Sequence, residues 1–221
     1  MISRLVQIPA GPSGTISLEG MLELPDHAAG VVLFAHGSGS SRLSPRNNYV
    51  ARVLRDANLG TLLIDLLTQD EDTDYATRFD IPLLTRRLLA ATRWLQSEPA
   101  TRSLAIGFFG ASTGAAAALQ AAAEEGRKIA AVVSRGGRPD LAGEDALSRV
   151  AAPTLLIVGG FDEVVIGLNQ EAYRSLHCEK ELIVIPGATH LFEEPGTLEQ
   201  VAKHAANWFG KFMPHSGAES R

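Results

Sequence analysis

The sequence predicts an α/β sandwich: a mostly parallel, doubly wound sheet of about eight strands with helices on both faces. Three observations carry this expectation. Short, almost continuous apolar runs recur at residues 31–35, 61–66, 104–109, 130–133, 154–158 and 182–185, the texture of strands covered on both faces. Segments with helical spacing lie between them, at 47–57, 81–96, 112–125, 164–176 and 198–212. Near the start, Ile16 and Leu18, then Leu22 and Leu24, alternate with polar residues, the period of strands with one wet face, so the N-terminal strands should be antiparallel. Alternating strands and helices require right-handed crossovers, which place functional loops at the carboxyl ends of the strands.

The composition fits one such domain. Of 221 residues, 45% are hydrophobic and 20% charged, and a chain of this length buries roughly 70% of its unfolded surface without needing a disulfide or structural metal. Residues 1–213 should form a single domain, with 214–221 a flexible tail. The single cysteine, Cys178, allows no internal disulfide framework and suits a reducing cytoplasm. It reads as a small buried side chain. With 20 Lys+Arg against 25 Asp+Glu the net charge is −5 and no basic stripe stands out, which disfavours nucleic-acid binding. No apolar stretch reaches the roughly 20 residues a membrane span needs, and residues 1–10 lack a signal-peptide core. A soluble, intracellular protein is expected.

The chemistry should sit just after the strands. The run 104–109 leads into Gly110-Ala111-Ser112-Thr113-Gly114 and an alanine-rich helix with Gly126 as a plausible stop. G-x-S-x-G between strand and helix is the pattern of a nucleophile elbow, whose glycines permit a strained turn that lifts the serine hydroxyl above the sheet edge. Such a serine also sits at a helix N-terminus, which favours developing negative charge. A Gly/Ala/Ser stretch of this kind equally permits close helix-on-sheet packing. A serine hydroxyl needs a base and an orienting acid. After 154–158 comes Gly159-Gly160-Phe161-Asp162, and after 182–185 comes Pro186-Gly187-Ala188-Thr189-His190. The order Ser112, Asp162, His190, each after its own strand, is that of α/β-hydrolases. Singly, Asp162 reads as a helix N-cap and His190 as a loop histidine; together they read as a triad. The run 31–35 leads into His36-Gly37-Ser38-Gly39-Ser40, a glycine-rich loop of the kind that supplies one oxyanion donor. The backbone N–H groups of Ser38 and Thr113 are the expected pair, with His36 bracing the loop.

On these residues the chain resembles the α/β-hydrolase superfamily, and within it the small dienelactone-hydrolase-like proteins. The resemblance spans residues 18–212. It rests on the segments at Ser112, Ser38 and His190, with His36-Gly37-Ser38-Gly39-Ser40-Ser41-Arg42, Ser134-Arg135-Gly136-Gly137-Arg138-Pro139-Asp140 and Gly187-Ala188-Thr189-His190-Leu191-Phe192 in particular. It implies an α/β-hydrolase fold and a subgroup sometimes joined to phosphoribosyltransferase domains. A functional link to such an enzyme is implied by that resemblance only, and no such domain is expected within these residues. Dienelactone hydrolases carry Cys where this chain has Ser112, so their lactone chemistry does not transfer.

Only residues 134–153 separate two strand runs where larger relatives carry a helical cap, so the site should be uncapped and open. Arg135 and Arg138 follow a strand and are placed to clamp a substrate carboxylate bidentately, or else to pair with surface acids. Arg135 and Phe192 are the expected substrate-binding residues, with Leu67 and Tyr75 as further candidates for the wall. Asp65, the rival acid, reads as a structural carboxylate accepting backbone N–H bonds. The acidic cluster at 70–74 lacks the Gly and terminal Glu of a calcium loop and reads as a solvated loop. His27, His177, His204 and His215 show no metal-ligand spacing, so neither metal nor other cofactor is expected.

The resulting expectation is a serine hydrolase that cleaves carboxylic esters of small substrates through an acyl-enzyme. The same triad serves an acyltransferase, thioesterase or peptidase, and the fold also admits a non-catalytic binding protein. A small-molecule ester is the expected partner, with no nucleic acid, no membrane, and self-association left open.

Overall fold

The computed structural model describes residues 1–11 and 15–213; the expected tail at 214–221 lies outside the described residues. Eight strands form one sheet: β1 (Ile2–Ala10), β2 (Ile16–Leu24), β3 (Gly30–Ala35), β4 (Gly60–Ile64), β5 (Ala105–Ala111), β6 (Ile129–Arg135), β7 (Thr154–Gly159) and β8 (Lys180–Ile185). Their spatial order is β1-β2-β4-β3-β5-β6-β7-β8. The pairs β1/β2 and β2/β4 are antiparallel, and every later pair is parallel. The expected mixed sheet is therefore present. Two details differ. The segments around Ile16 and Leu22 form one strand, continuous through Gly20, and an additional edge strand, β1, pairs along its length with register Ile2 to Leu24 and Ala10 to Ile16. Only Val6, Ile8 and Ala10 of β1 are buried, so its apolar alternation covers half its length.

The helices are α1 (Pro45–Asp56), α2 (Gln69–Asp72), α3 (Ile81–Ser97), α4 (Thr113–Glu125), α5 (Glu144–Arg149), α6 (Glu163–Ser175) and α7 (Thr197–Phe212). Helices α1 and α3 begin at side-chain caps: Ser44 accepts from Asn47 N–H at 3.4 Å, and Asp80 from Leu83 N–H at 2.9 Å. Each carries a proline in its first turn, where no N–H is needed. The acidic cluster forms structure where a solvated loop is expected. Thr68 and Glu71 close a capping box that starts α2, and Glu71 also pairs with buried Arg87. Acidic side chains thus serve as cap and counter-ion there.

Two apolar layers flank the sheet. On one face α1 and α7 cover Val32, Phe34, Leu63, Phe109, Val133 and Ile157. On the other, α3 and α4 cover Leu33, Leu62, Phe108 and Val132. Helix α4 lies deepest: Ala115 to Ala118 and Leu119 are all fully buried, and their small side chains allow the helix backbone to approach the sheet. Only a short helical turn, Pro139–Ala142, and α5 lie between β6 and β7, so no cap domain is inserted at that point.

Candidate active site

Ser112 stands between β5 and α4 at φ 50° and ψ −120°. A positive φ is costly for a residue with a Cβ, by roughly 1–3 kcal/mol, and persists where the surroundings enforce it. The enforcement is visible on both sides. Ser112 N–H donates to the Arg135 carbonyl, and the Ser112 carbonyl accepts from Ala115 and Arg138 N–H. A Cβ on Gly114 would lie 2.2 Å from the Ala35 carbonyl oxygen and 2.4 Å from that of His36, so only glycine lets α4 start this close to β3. The serine occupies the N-cap position of α4, yet its side chain makes no capping hydrogen bond.

Asp162 shows the same departure from capping. It holds the N-cap position of α6, but its side chain does not cap that helix. Instead Oδ2 stands 2.6 Å from His190 Nδ1. The two loops that carry this pair are knitted by backbone bonds: Gly160 N–H donates to the Ile185 carbonyl at 2.8 Å, and Phe161 N–H to that of Ala188 at 2.9 Å. Glu194 closes the histidine loop, accepting from Thr189 N–H at 3.0 Å and from its hydroxyl at 2.6 Å. Those hydrogen bonds from Thr189 hold the Glu194 carboxyl below its ordinary range. The imidazole stands beside the end of β6, whose Arg135 carbonyl accepts from Ser112 N–H. A Cβ on Gly136, the residue after Arg135, would lie 3.6 Å from His190 Cε1.

The glycine-rich loop after β3 lies against the elbow. A Cβ on Gly37 would fall 3.0 Å from Ser112 Cβ. Ser40 N–H closes a turn on the Gly37 carbonyl, which leaves Ser38 N–H outside that turn's own bond. Thr113 is the first residue of α4, where an N–H has no intrahelical acceptor. His36 is buried and braces this loop as expected: Nε2 accepts from Leu66 N–H at 2.9 Å, and Nδ1 lies 3.0 Å from the Gly37 carbonyl. The neutral tautomer with its proton on Nδ1 satisfies both contacts, and burial pushes the imidazole below its ordinary pKa.

Asp65, the rival acid, is engaged elsewhere. Its Oδ1 accepts Arg42 N–H at 2.7 Å and its Oδ2 pairs with the Arg42 guanidinium. That guanidinium also reaches Glu19. The two arginines expected as a clamp are separated. Arg138 forks onto Asp140 at 2.9 and 2.7 Å, while Arg135 is 8% exposed and Phe192, only 1% exposed, lies over it with the guanidinium 5.9 Å from the ring centroid. Phe192 itself adopts φ 55°. Nε and NH1 of Arg135 have no hydrogen-bond partner, and NH2 lies 3.5 Å from Asn47 Oδ1. Burial, with a smaller contribution from the nearby Arg46 charge, lowers its pKa to about 10.

Of the other candidate wall residues, Leu67 is buried and lines a narrow recess beside Ser38 and Thr113. Tyr75 is exposed and stacks on Phe79. Arg78, not anticipated from the sequence, lines the same recess and is anchored by Asp72, whose carbonyl accepts from its Nε at 3.0 Å. Its nearest sequence signal is an arginine six residues from an acid, which is too common to single it out. Cys178 is half-buried beside Thr154, and burial raises its thiol pKa. Among the described residues no group of His, Cys, Asp and Glu is arranged to hold a metal, and no helix is long and apolar enough to cross a membrane.

A mostly parallel eight-stranded sheet with a serine elbow after β5, an acid after β7 and a histidine after β8 defines the α/β-hydrolase class. Residues 65–213 match the dienelactone hydrolase family. The chain belongs to that family, a family of hydrolases. It is similar to a dienelactone hydrolase from Anabaena variabilis, with 55% identity, a TM-score of 0.91, and coverage of 96% of this chain and 98% of that one. Est1E from Butyrivibrio proteoclasticus shares the fold at 18% identity and a TM-score of 0.78, over 94% of this chain and 98% of that chain. Two Mycobacterium tuberculosis proteins, each named "Putative phosphoribosyl transferase", are 59% identical over 204 residues, which is 92% of this chain but 45% of theirs. The chain thus spans a little under half the length of these curated relatives.

Proposed function

We propose that the chain is a serine hydrolase that cleaves carboxylic esters through an acyl-enzyme. The observation that carries this reading is the diverted carboxylate of Asp162, which leaves a helix N-cap unmade and stands 2.6 Å from His190 Nδ1. In this scheme His190 Nε2 removes the Ser112 proton as Oγ attacks the ester carbonyl, and Asp162 orients and stabilises the imidazolium. The N–H groups of Ser38 and Thr113 receive the oxyanion. Collapse of the tetrahedral intermediate breaks the bond to the alcohol oxygen, which takes the proton from His190. Water, activated by the same imidazole, then releases the acid and restores Ser112.

A fluorophosphonate probe followed by intact-mass and peptide mapping tests the reading. One equivalent is expected on Ser112 of the wild type, and Ser112→Ala should lose the adduct and about 10⁴-fold or more in kcat. A folded wild type that takes up no probe overturns the proposal in favour of a binding protein. If transfer to an added alcohol or amine outruns hydrolysis, the same site is an acyltransferase.

Arg135 supports a preference for esters that carry a carboxylate, because among the described residues two of its nitrogens have no hydrogen-bond partner and no acid pairs with its guanidinium. Phe192, expected to touch substrate, is instead buried in the core with its ring over the guanidinium, so its part is to hold Arg135 in place. Arg135→Met should then reduce kcat/KM for anionic esters about tenfold more than for neutral ones; equal losses reject the assignment. The names of the half-matching curated relatives support a functional link with a phosphoribosyl transferase. A single, half-buried cysteine supports a cytoplasmic setting.

A further inference from the structure

Ten large apolar side chains are exposed among the described residues, and six of them lie at the carboxyl ends of the strands around Ser112. By the loops that carry them they fall into two groups. Phe161, Val164 and Leu191 are 71%, 77% and 40% exposed and belong to the loops of Asp162 and His190. Phe161 precedes Asp162, and its N–H donates to the Ala188 carbonyl at 2.9 Å, which seats it on the histidine loop. Val164 follows in the first turn of α6, the helix that Asp162 begins. Leu191 follows His190 directly. Leu43, Tyr75 and Phe79 lie on the other side. The Tyr75 and Phe79 rings are 5.1 Å apart, and the Arg78 between them in sequence reaches the oxyanion loop, its NH1 3.4 Å from a Cβ placed on Gly39.

Apolar side chains left exposed next to the proposed acid and base are available to an apolar part of a bound substrate. The chemistry decides which part of an ester meets which of the two groups. His190 returns its proton to the departing alcohol oxygen, so the alcohol must leave along the histidine side. The carbonyl oxygen points at Ser38 and Thr113, which turns the acyl chain toward the other side. We infer that Phe161, Val164 and Leu191 form the leaving-group subsite, and that the enzyme selects esters of extended apolar alcohols. This assignment rests on the acyl-enzyme reading above and specifies its substrate class.

The test compares wild type with the double variant Phe161→Ser/Val164→Ser, at two largely exposed positions. Ethyl and hexyl acetate vary the alcohol at fixed acyl group and similar leaving-group pKa; ethyl hexanoate varies the acyl chain at fixed alcohol. Because kcat/KM reports events through acylation, the hexyl-to-ethyl acetate ratio should fall about tenfold in the variant, the scale of a lost apolar contact. The ratio of ethyl hexanoate to ethyl acetate should hold. The companion variant Tyr75→Ser/Phe79→Ser should move the acyl ratio and spare the alcohol ratio. An unchanged alcohol ratio, a parallel fall of both ratios, or an alcohol ratio that responds to Tyr75→Ser/Phe79→Ser instead overturns the subsite. Probe labelling of Ser112 separates the two levels: an adduct with an unchanged alcohol ratio removes the subsite alone, and no adduct on the wild type removes both.

Discussion

Ser112 is held in a conformation that its own side chain opposes. At φ 50° its Cβ crowds the backbone, and the bonds from Ser112 N–H to Arg135 and from Ala115 and Arg138 to the Ser112 carbonyl keep it there. The strain belongs to the Cβ and not to the hydroxyl. Ser112→Ala should therefore keep it, while Ser112→Gly should relieve it. We expect the glycine variant to be more stable than the alanine variant by about 1 kcal/mol, measured by urea unfolding, with both inactive toward esters. Equal stabilities would show that the turn is unstrained. At this scale the site was legible to an unusual degree: G-x-S-x-G, Gly160-Phe161-Asp162 and Thr189-His190 each follow an apolar run, and pattern together with order was sufficient to nominate all three residues. The environments of Arg135 and Arg138 were not legible. Both are arginines at a strand end, yet one forks onto Asp140 and the other is buried beneath Phe192. Arg138 finds its acid two residues along the chain, whereas the surroundings of Arg135, Phe192 and Asn47, come from segments far away in sequence.

Among the elements, the close passage of α4 under β3 organises the site, because it presents Thr113 N–H and the serine together. Gly114 makes that passage possible, since any Cβ there would enter the space of two backbone carbonyls. Gly114→Ala should cost about 3 kcal/mol or more, because neither carbonyl can yield. Gly167 provides the contrast. It lies inside α6 with nothing within 4 Å of a Cβ placed there, so Gly167→Ala should add about 0.5–1 kcal/mol by reducing the freedom of the unfolded chain. Thermal unfolding of the two variants reads both effects, and a stable Gly114→Ala protein would contradict the geometry. Strands buried on both faces were legible from their apolar runs, because two covered faces leave no polar positions. The edge strand β1 was not, since its first half is exposed. Nor was α2, a turn whose start depends on reciprocal bonds between Thr68 and Glu71.

For the molecule as a whole, the sheet and its loops are linked by a buried, uncharged histidine. His36 joins the loop after β3 to Leu66, just past β4, and its burial lowers its pKa from the ordinary value of 6.5. In the unfolded chain the imidazole takes up a proton below about pH 6.5, while the folded protein resists doing so until its own lower pKa is reached. The unfolded state then binds more protons, so stability falls as pH decreases through that window and levels off below the folded pKa. The unfolding midpoint should decline as pH falls below the unfolded imidazole's pKa of about 6.5, and His36→Gln should show a shallower decline from a lower starting point. Identical pH slopes for the two proteins would remove His36 as the cause.

By itself the sequence determined the alternation of strands and helices, the carboxyl-end placement of the chemistry, and the nominations of Ser112, Asp162, His190 and the Ser38 loop. These follow from local patterning: burial on both faces demands apolar runs, and a tight strand-to-helix turn demands glycine at fixed spacing. Only the tertiary structure decided that Asp162 turns from its own helix toward His190, that Asp65 is taken by Arg42, that Arg135 lies buried with two nitrogens unpaired, and that Phe161, Val164 and Leu191 stay exposed. Each of these depends on which distant segments the sheet order β1-β2-β4-β3-β5-β6-β7-β8 brings side by side, and side-chain partners and burial are properties of that three-dimensional neighbourhood rather than of spacing along the chain.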